Sequence, residues 1–157
     1  MILGIDPGIR KLWYAIVDNN LNIIDGWILL QNQENPSRDD QFKRLLQIYN
    51  FFEKIIKTHP IKKVGIEKLY FTQYNQNNAE FVYGVRWALI ALFLKNWIKI
   101  YEFAPKEIKK AITWNWKASK KLMQQTIMKI YNLTDLPDYH DTADALGICF
   151  IVRNIDF

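Results

Sequence analysis

The sequence predicts an α/β fold built on a five-stranded mixed sheet. Three consecutive strand patterns occupy residues 2–6, about 12–18 and about 21–31, and turn-forming residues separate them. From residue 37 onward, segments with apolar residues at three- and four-residue spacing alternate with two more strand patterns. Three strands followed by alternating helices and strands are typical of an α/β protein with a mixed sheet.

Each predicted element has a local reason. Asp6-Pro7-Gly8 ends the first strand, and Asp18-Asn19-Asn20 favours a hairpin turn before the third. The first helix begins at Ser37 and ends near His59-Pro60, because proline cannot continue a helix. The later predicted elements are a strand at 63–67, a helix at 79–95, a strand at 97–103 and helices at 105–112, 118–131 and 139–153.

Length and composition predict a single domain over residues 1–157. Half of the residues are hydrophobic, which suffices for one core, and no linker-like segment or internal repeat divides the chain. The lone Cys149 excludes an internal disulfide framework, and no basic leader precedes the first strand. The most apolar stretch, 81–98, is interrupted by Arg86 and Lys95, so no membrane span is expected. These features predict a cytoplasmic protein.

Positive charge is concentrated in one block between Pro105 and Lys121. Six lysines stand there against Glu107, and this local excess equals the net charge of +5 of the whole chain. Such a block is often only a solvated helix face. However, Trp114 and Trp116 lie inside it, and aromatic rings among cations are a common way to bind nucleic acid. The lysines are Lys106, Lys109, Lys110, Lys117, Lys120 and Lys121.

Four acidic residues carry the predicted chemistry. Asp6 and Glu67 each end a short β-branched run, where a buried carboxylate is unfavourable unless it is paired or bound to metal. Asp141 and Asp144 have the i, i+3 spacing that puts two side chains on one helix face. Oxygen ligands of this kind favour Mg²⁺ or Mn²⁺, and two such ions can catalyse phosphoryl displacement.

Each acid also has a structural alternative. Asp6 could belong only to a tight turn, and Glu67 could be a surface residue at a strand end. Asp141 could be the third residue of a capping box whose N-cap is Asp138. A structural role for Asp144 would need a buried partner. His140 could reach the same site but is left outside the predicted ligands.

These residues resemble the RuvC family of Holliday junction resolvases. The collinear segments are Ile-Leu-Gly-Ile-Asp-Pro-Gly at 2–8, Ile-Glu-Lys-Leu-Tyr-Phe at 66–71, Tyr-Glu-Phe-Ala-Pro at 101–105 with Ile108-Lys109, and Asp-Thr-Ala-Asp-Ala-Leu at 141–146. The resemblance implies a ribonuclease H-like fold, a homodimer, and paired symmetric nicks in four-way DNA junctions with Mg²⁺ or Mn²⁺. A branch-migration helicase is a candidate partner.

Carried over by position, the resemblance makes the four acids the catalytic metal ligands. It implies that Lys109 and Lys120 hold or stabilise the scissile phosphate, and that Tyr70 stacks on a base, with Phe71 either sharing that task or packing in the core. Lys117 and Lys121 are expected to contact phosphates. The helix at 79–95 is apolar around most of its circumference, which predicts a two-fold dimer interface.

The chain also departs from the family pattern. Trp114 and Trp116 replace small residues in the DNA-facing loop, so they either stack on bases or pack inward. Three other classes of protein share some of these features. An actin-like ATPase needs a second domain that this chain does not supply, and a non-catalytic junction-binding protein would not need four acids in family order. A broader nuclease that also cuts forks and flaps is the main alternative.

Overall fold

The computed structural model describes residues 1–7, 11–30, 38–68, 79–134 and 142–155. Its elements follow the predicted order. The strands are β1 (Ile2–Pro7), β2 (Lys11–Val17), β3 (Ile23–Leu30), β4 (Lys63–Glu67) and β5 (Lys99–Phe103), and the helices are α1 (Arg38–Thr58), α2 (Ala79–Lys95), α3 (Pro105–Thr113), α4 (Lys120–Ile130) and α5 (Thr142–Asn154).

The five strands form one mixed sheet in the order β3-β2-β1-β4-β5, which confirms the predicted fold class. β1, β2 and β3 pair antiparallel as a meander, and β4 and β5 join β1 in parallel. Because β1, β4 and β5 run in the same direction, their carboxyl ends meet at one edge of the sheet. Asp6 and Glu67 both lie at that edge.

Three element boundaries differ from the prediction, each for a local reason. β3 begins at Ile23 because Asp18 accepts backbone hydrogen bonds from Asn20 and Asn22 and extends the turn. α4 begins at Lys120, since the Ser119 hydroxyl caps the amide of Leu122. The prediction of strand from Trp97 is wrong, because that residue lies in a left-handed turn that closes α2.

The sheet separates two apolar layers. α1 and α2 cover one face, where Ile5, Ile66 and Phe93 are buried. α3, α4 and α5 cover the other, where Ile108, Ile127 and Ile148 are buried. Side chains alternate along a strand, so the residues after Ile5 and Ile66 point toward the second layer. Asp6 and Glu67 therefore face α5.

Helix α5 lies unusually close to the sheet, and two glycines make this possible. A Cβ atom at Gly4 would collide with the carbonyl oxygen of Ala145, and one at Gly65 would collide with the Ile148 side chain. Both strands therefore present bare backbone to the helix. This contact brings the first turn of α5, with Asp144, over the carboxyl ends of β1 and β4.

None of the helices within the described ranges combines the length and apolar character needed to span a bilayer.

Replacing Gly4 by Ala should lower the free energy of unfolding by about 1–3 kcal/mol, the usual effect of overpacking, because the backbone of Ala145 cannot yield. Urea denaturation would measure this. Gly84→Ala is the matched control, since its Cβ would meet only the Leu45 side chain at 3.5 Å. That control should be at least as stable as the wild type, because alanine favours helix. Equal stability of the two variants would contradict a tight contact between α5 and β1.

Candidate active site

Three of the four predicted acids come together at the carboxyl edge of the sheet. Asp6 is half-buried near the end of β1, and Glu67 is half-buried at the end of β4. Asp144 is half-buried in the first turn of α5, where the positive end of the helix dipole favours a carboxylate. The main chain next to Glu67 is held to β5, because the amide of Lys68 donates a hydrogen bond to the carbonyl of Phe103 (2.7 Å).

The electrostatics of Glu67 reflect this crowding. Burial, followed by the charges of Asp6 and Asp144, raises the pKa of Glu67 to about 8, while the cation of Lys109 acts in the opposite direction. A carboxyl with an ordinary value near 4.5 is thus largely protonated at neutral pH in the metal-free protein. Perturbation of this kind is typical of functional sites.

A cleft of roughly 230 Å³ opens beside these acids. Its polar lining consists of Glu67 and Asp144 together with Lys109 from α3 and Lys120 from α4. Pro105, Ile108 and Met123 supply its apolar surface. Acidic and basic side chains therefore line the same small volume.

Helix capping fixes the starts of α3 and α4, the two helices that carry Lys109 and Lys120. The Glu107 carboxylate accepts a hydrogen bond from the amide of Ala104 (2.6 Å), so the only acid of the basic block is engaged at the start of α3. The Ser119 hydroxyl oxygen accepts one from the amide of Leu122 (3.2 Å) and starts α4. Lys109 is half-buried, whereas Lys120, Lys117 and Lys121 are exposed.

The loop between α3 and α4 presents both of its tryptophans outward. Trp114 is 91% exposed, and Trp116 is 49% exposed with the ammonium groups of Lys106 and Lys117 at 5.3 and 4.7 Å from its ring centre. The loop itself is ordered by main-chain bonding, in which the Ala118 amide donates to the Asn115 carbonyl (3.0 Å). The alternative that these rings pack into the core is therefore wrong.

Several predicted site residues lie outside the described residues. These are Asp141, Tyr70 and Phe71, together with His140 and the proposed N-cap Asp138. Their assignments stay predictions.

The donor chemistry of the edge fits a hard divalent cation. Asp6, Glu67 and Asp144 offer carboxylate oxygens, and the crowding that raises the pKa of Glu67 is what a bound cation would relieve. In the described part of the chain, no three His, Cys, Asp or Glu side chains are close enough together to hold one ion. Asp141, the fourth predicted ligand, lies outside that part.

Sequence reasoning missed the apolar surface of the cleft and one ion pair on the opposite face of the sheet. Ile108 neighbours Lys109, and Met123 follows Lys120 at i+3, so helical spacing would have indicated both. Arg86 on α2 forms an ion pair with Glu102 on β5. Glu102 directly precedes Phe103, the residue that pairs with Glu67 in the sheet. The sequence signal for this ion pair was the presence of charged residues, Arg86 and Glu102, within largely apolar segments.

The fold first defines a class: the sheet and its flanking helices are those of ribonuclease H-like resolvases. The structure superposes on that of Thermus thermophilus RuvC with a TM-score of 0.76, 21% identity and coverage of 94% of this chain and 90% of that one. For T. thermophilus RuvC in complex with Holliday junction substrate the TM-score is 0.79, at 21% identity, covering 94% and 88%.

Comparison of sequences then gives the family. The model of the family "crossover junction endodeoxyribonuclease RuvC" matches residues 2–151. RuvC from Petrotoga mobilis is 34% identical over 98% of this chain and 93% of its own length, and RuvC from Pseudothermotoga lettingae is 34% identical over 99% and 96%. The chain belongs to the crossover junction endodeoxyribonuclease RuvC family, whose nucleases are metal-dependent.

The metal-free protein should lose stability as the pH rises from about 4.5 to about 8. Glu67 titrates near 4.5 when unfolded and near 8 when folded, so unfolding releases a proton in this window and is favoured by higher pH. Glu67→Gln should remove much of that loss. Because one pKa unit corresponds to about 1.4 kcal/mol, the two proteins should differ by a few kcal/mol in how far their free energy of unfolding falls. Chemical denaturation from pH 5 to 9 in EDTA measures it.

Glu80→Gln is the control for this comparison, because Glu80 is an exposed carboxylate paired with Arg38. It should keep the pH dependence of the wild type. A wild-type slope in Glu67→Gln would contradict the raised pKa of Glu67, which burial and then the neighbouring charges cause.

Proposed function

We propose that this protein resolves four-way DNA junctions by paired, symmetric, metal-dependent nicks. The observation that carries the proposal is a cleft lined by Glu67, Asp144 and Lys109, with Asp6 near enough for its charge to contribute, after burial, to the raised pKa of Glu67. Membership of the RuvC family supports it, as does the likeness in fold to a RuvC that was solved with Holliday junction substrate.

In this proposal Asp6, Glu67, Asp141 and Asp144 hold two Mg²⁺ or Mn²⁺ ions. Ions held by these residues would activate water at neutral pH and would stabilise negative charge on the reacting phosphodiester. The acids must lose the proton that burial retains on Glu67, so binding of cations and deprotonation are coupled.

The chain's own cations position the substrate. Lys109 and Lys120 line the same cleft as Glu67 and Asp144, where they hold the scissile phosphate and oppose the charge that develops on it. Ile108 and Met123 limit the access of water to the same volume. Lys117 and Lys121, both exposed, contact phosphates farther along the strand.

Base contacts are assigned to aromatic side chains. Trp114 and Trp116 offer exposed rings beside the lysines, and Tyr70 and Phe71 follow the catalytic strand. Stacking on an aromatic ring accepts any base. This property favours selectivity for the shape of the DNA, and it supports the second candidate function, a broader nuclease that also cuts forks and flaps.

Paired nicking needs two active sites, and α2 offers a surface for a second copy of the chain. Its inner side is buried by Val85, Leu89 and Phe93, yet its outer side exposes Tyr83, Trp87 and Leu94. An exposed apolar stripe of this kind is typical of a protein interface. We assign it to a two-fold dimer, in which like strands are cut at matching positions.

The acids provide the direct test. Glu67→Gln and Asp144→Asn should each reduce nicking of a synthetic four-way junction by more than the roughly 10- to 100-fold typical of residues that only orient metal ligands. Junction affinity without metal should be kept in Glu67→Gln, because that carboxyl is already largely protonated at neutral pH. It should be kept or rise in Asp144→Asn, because a negative charge beside phosphate is removed. Gel assays with junction, Y-fork and linear duplex measure cutting and distinguish the two candidate functions.

Asp39→Asn, an exposed change in the first turn of α1, is the matched control and should cut normally. Normal cutting by Asp144→Asn would contradict the assignment of the site. Equal cutting of junction and fork would favour the broader nuclease.

The lysines should separate into two kinds. Lys117→Gln and Lys121→Gln should each weaken junction binding and lower the slope of log K against log salt by about 0.9, the effect of one phosphate contact. Lys120→Gln should reduce the single-turnover nicking rate of bound junction more than it reduces affinity. Lys129→Gln, in the last turn of α4, is the control. Equal losses in rate and affinity for Lys120→Gln would make it a general backbone contact.

A further inference from the structure

A further exposed tryptophan lies at the end of α2, before β5, whereas the cleft lies beyond the other end of that strand. The turn there is a Schellman motif, in which the amide of Ile98 donates to the carbonyl of Phe93 (3.0 Å) and the amide of Trp97 donates to that of Leu94 (3.1 Å). Trp97 occupies the position that usually holds glycine, with φ 58°, and its side chain is 95% exposed. A Cβ atom at this position strains the backbone by roughly 1–2 kcal/mol, and the exposed ring adds no packing to the fold.

The neighbours of Trp97 are cations. Backbone hydrogen bonds join Met1, Lys62 and Lys99 side by side, since the Lys62 amide donates to the Met1 carbonyl and the Lys99 amide donates to the Lys62 carbonyl (3.0 Å each). Lys63 pairs with Lys99 across β4 and β5, and Lys95 ends α2. Burial, followed by the charge of Lys62, lowers the pKa of the Met1 ammonium group. The charge of Asp18 raises this pKa, and the charge of Lys63 lowers it.

Among the described residues, two acids near this edge already have partners. The carboxylate of Glu53 is engaged by Lys57 (2.8 Å), and Lys57 together with Lys95 lowers its pKa. The carboxylate of Asp18 accepts hydrogen bonds from Asn22 and from the amide of Asn20. The cations of this edge therefore outnumber these two acids.

We propose that this surface binds a single-stranded nucleic acid segment. We define it as the lysine–tryptophan edge, formed by Met1, Lys62, Lys63, Lys95, Trp97 and Lys99. Its lysines neutralise phosphates, and Trp97 stacks on an unpaired base. Lys63 and Glu67 are the two ends of β4, so the segment bound here is a different one from the strand at the cleft.

A nucleic acid suits this edge better than a protein does. Protein interfaces centre on apolar anchors that fill pockets, whereas here one flat ring stands among cations. A single accessible ring is sufficient for base stacking. The same combination recurs in the proposed DNA-binding block, where Trp114 ends α3 with φ 60° beside lysines. The proposal adds a second nucleic acid contact to the proposed function and does not depend on cleavage.

The test uses the full-length protein without metal and a fluorescein-labelled 12-nucleotide oligothymidylate, with binding followed by anisotropy. Trp97→Ala should weaken binding by about tenfold, the usual order for one stacked base, and Trp97→Phe should keep most of the affinity. Lys62→Gln and Lys99→Gln should each lower the slope of log K against log salt by about 0.7. Lys43→Gln, an exposed change on α1, should have no effect.

Trp97→Gly separates binding from folding. Because glycine accepts the left-handed backbone, this variant should unfold at the same temperature as the wild type or higher, yet bind the oligonucleotide as weakly as Trp97→Ala. Both variants should nick saturating junction at the wild-type rate, so a failure of junction cleavage would not affect this result. Unchanged oligonucleotide affinity in Trp97→Ala would overturn the proposal. If sedimentation also showed weaker self-association, the edge would instead belong to a protein interface.

Discussion

The contact between α5 and the glycines of β1 and β4 is the constraint on which the site depends. Three carboxylates repel one another, and burial disfavours the charge of each, so no local preference would bring them together. Gly4 and Gly65 let the helix approach the backbone of both strands, and the large apolar layer behind it stabilises that approach. The energy that crowds Asp144 against Glu67 thus comes from packing remote from the charges.

The cations of the cleft are held differently from the acids. Lys109 and Lys120 stand on two short helices whose starts are capped by Glu107 and Ser119. Their long side chains lie at the opening of the cleft, whereas Glu67 lies at the rigid end of a strand. A rigid acidic side and a more adaptable basic side suit a site that must hold cations in fixed positions while a DNA strand enters and leaves.

The exposed tryptophans show where folding and binding have opposite requirements. Trp97 and Trp114 both end helices in the left-handed conformation, which favours glycine, and both leave a large apolar ring in water. Stability alone would favour another residue at either position. Rings placed on tight, hydrogen-bonded turns are held in one orientation, which reduces the entropy lost when a base stacks on them.

The sequence by itself determined the order and type of the ten elements in the described ranges, because strand and helix periodicities are local and turn residues separate them. It also indicated Asp6, Glu67 and Asp144 as unusual, since carboxylates stand out at the ends of apolar runs. It was wrong about Trp97, because whether a residue after a helix extends or turns depends on hydrogen bonds to that helix.

Only the tertiary structure decided which distant residues meet. The sheet order placed β4 between β1 and β5, the glycine contact brought Asp144 to Glu67, and the crossing of α3 and α4 completed the cleft with Ile108 and Met123. Burial of a carboxylate and exposure of a tryptophan are likewise sums over many chain segments. They are set by how the layers pack, and no single window of sequence contains that information.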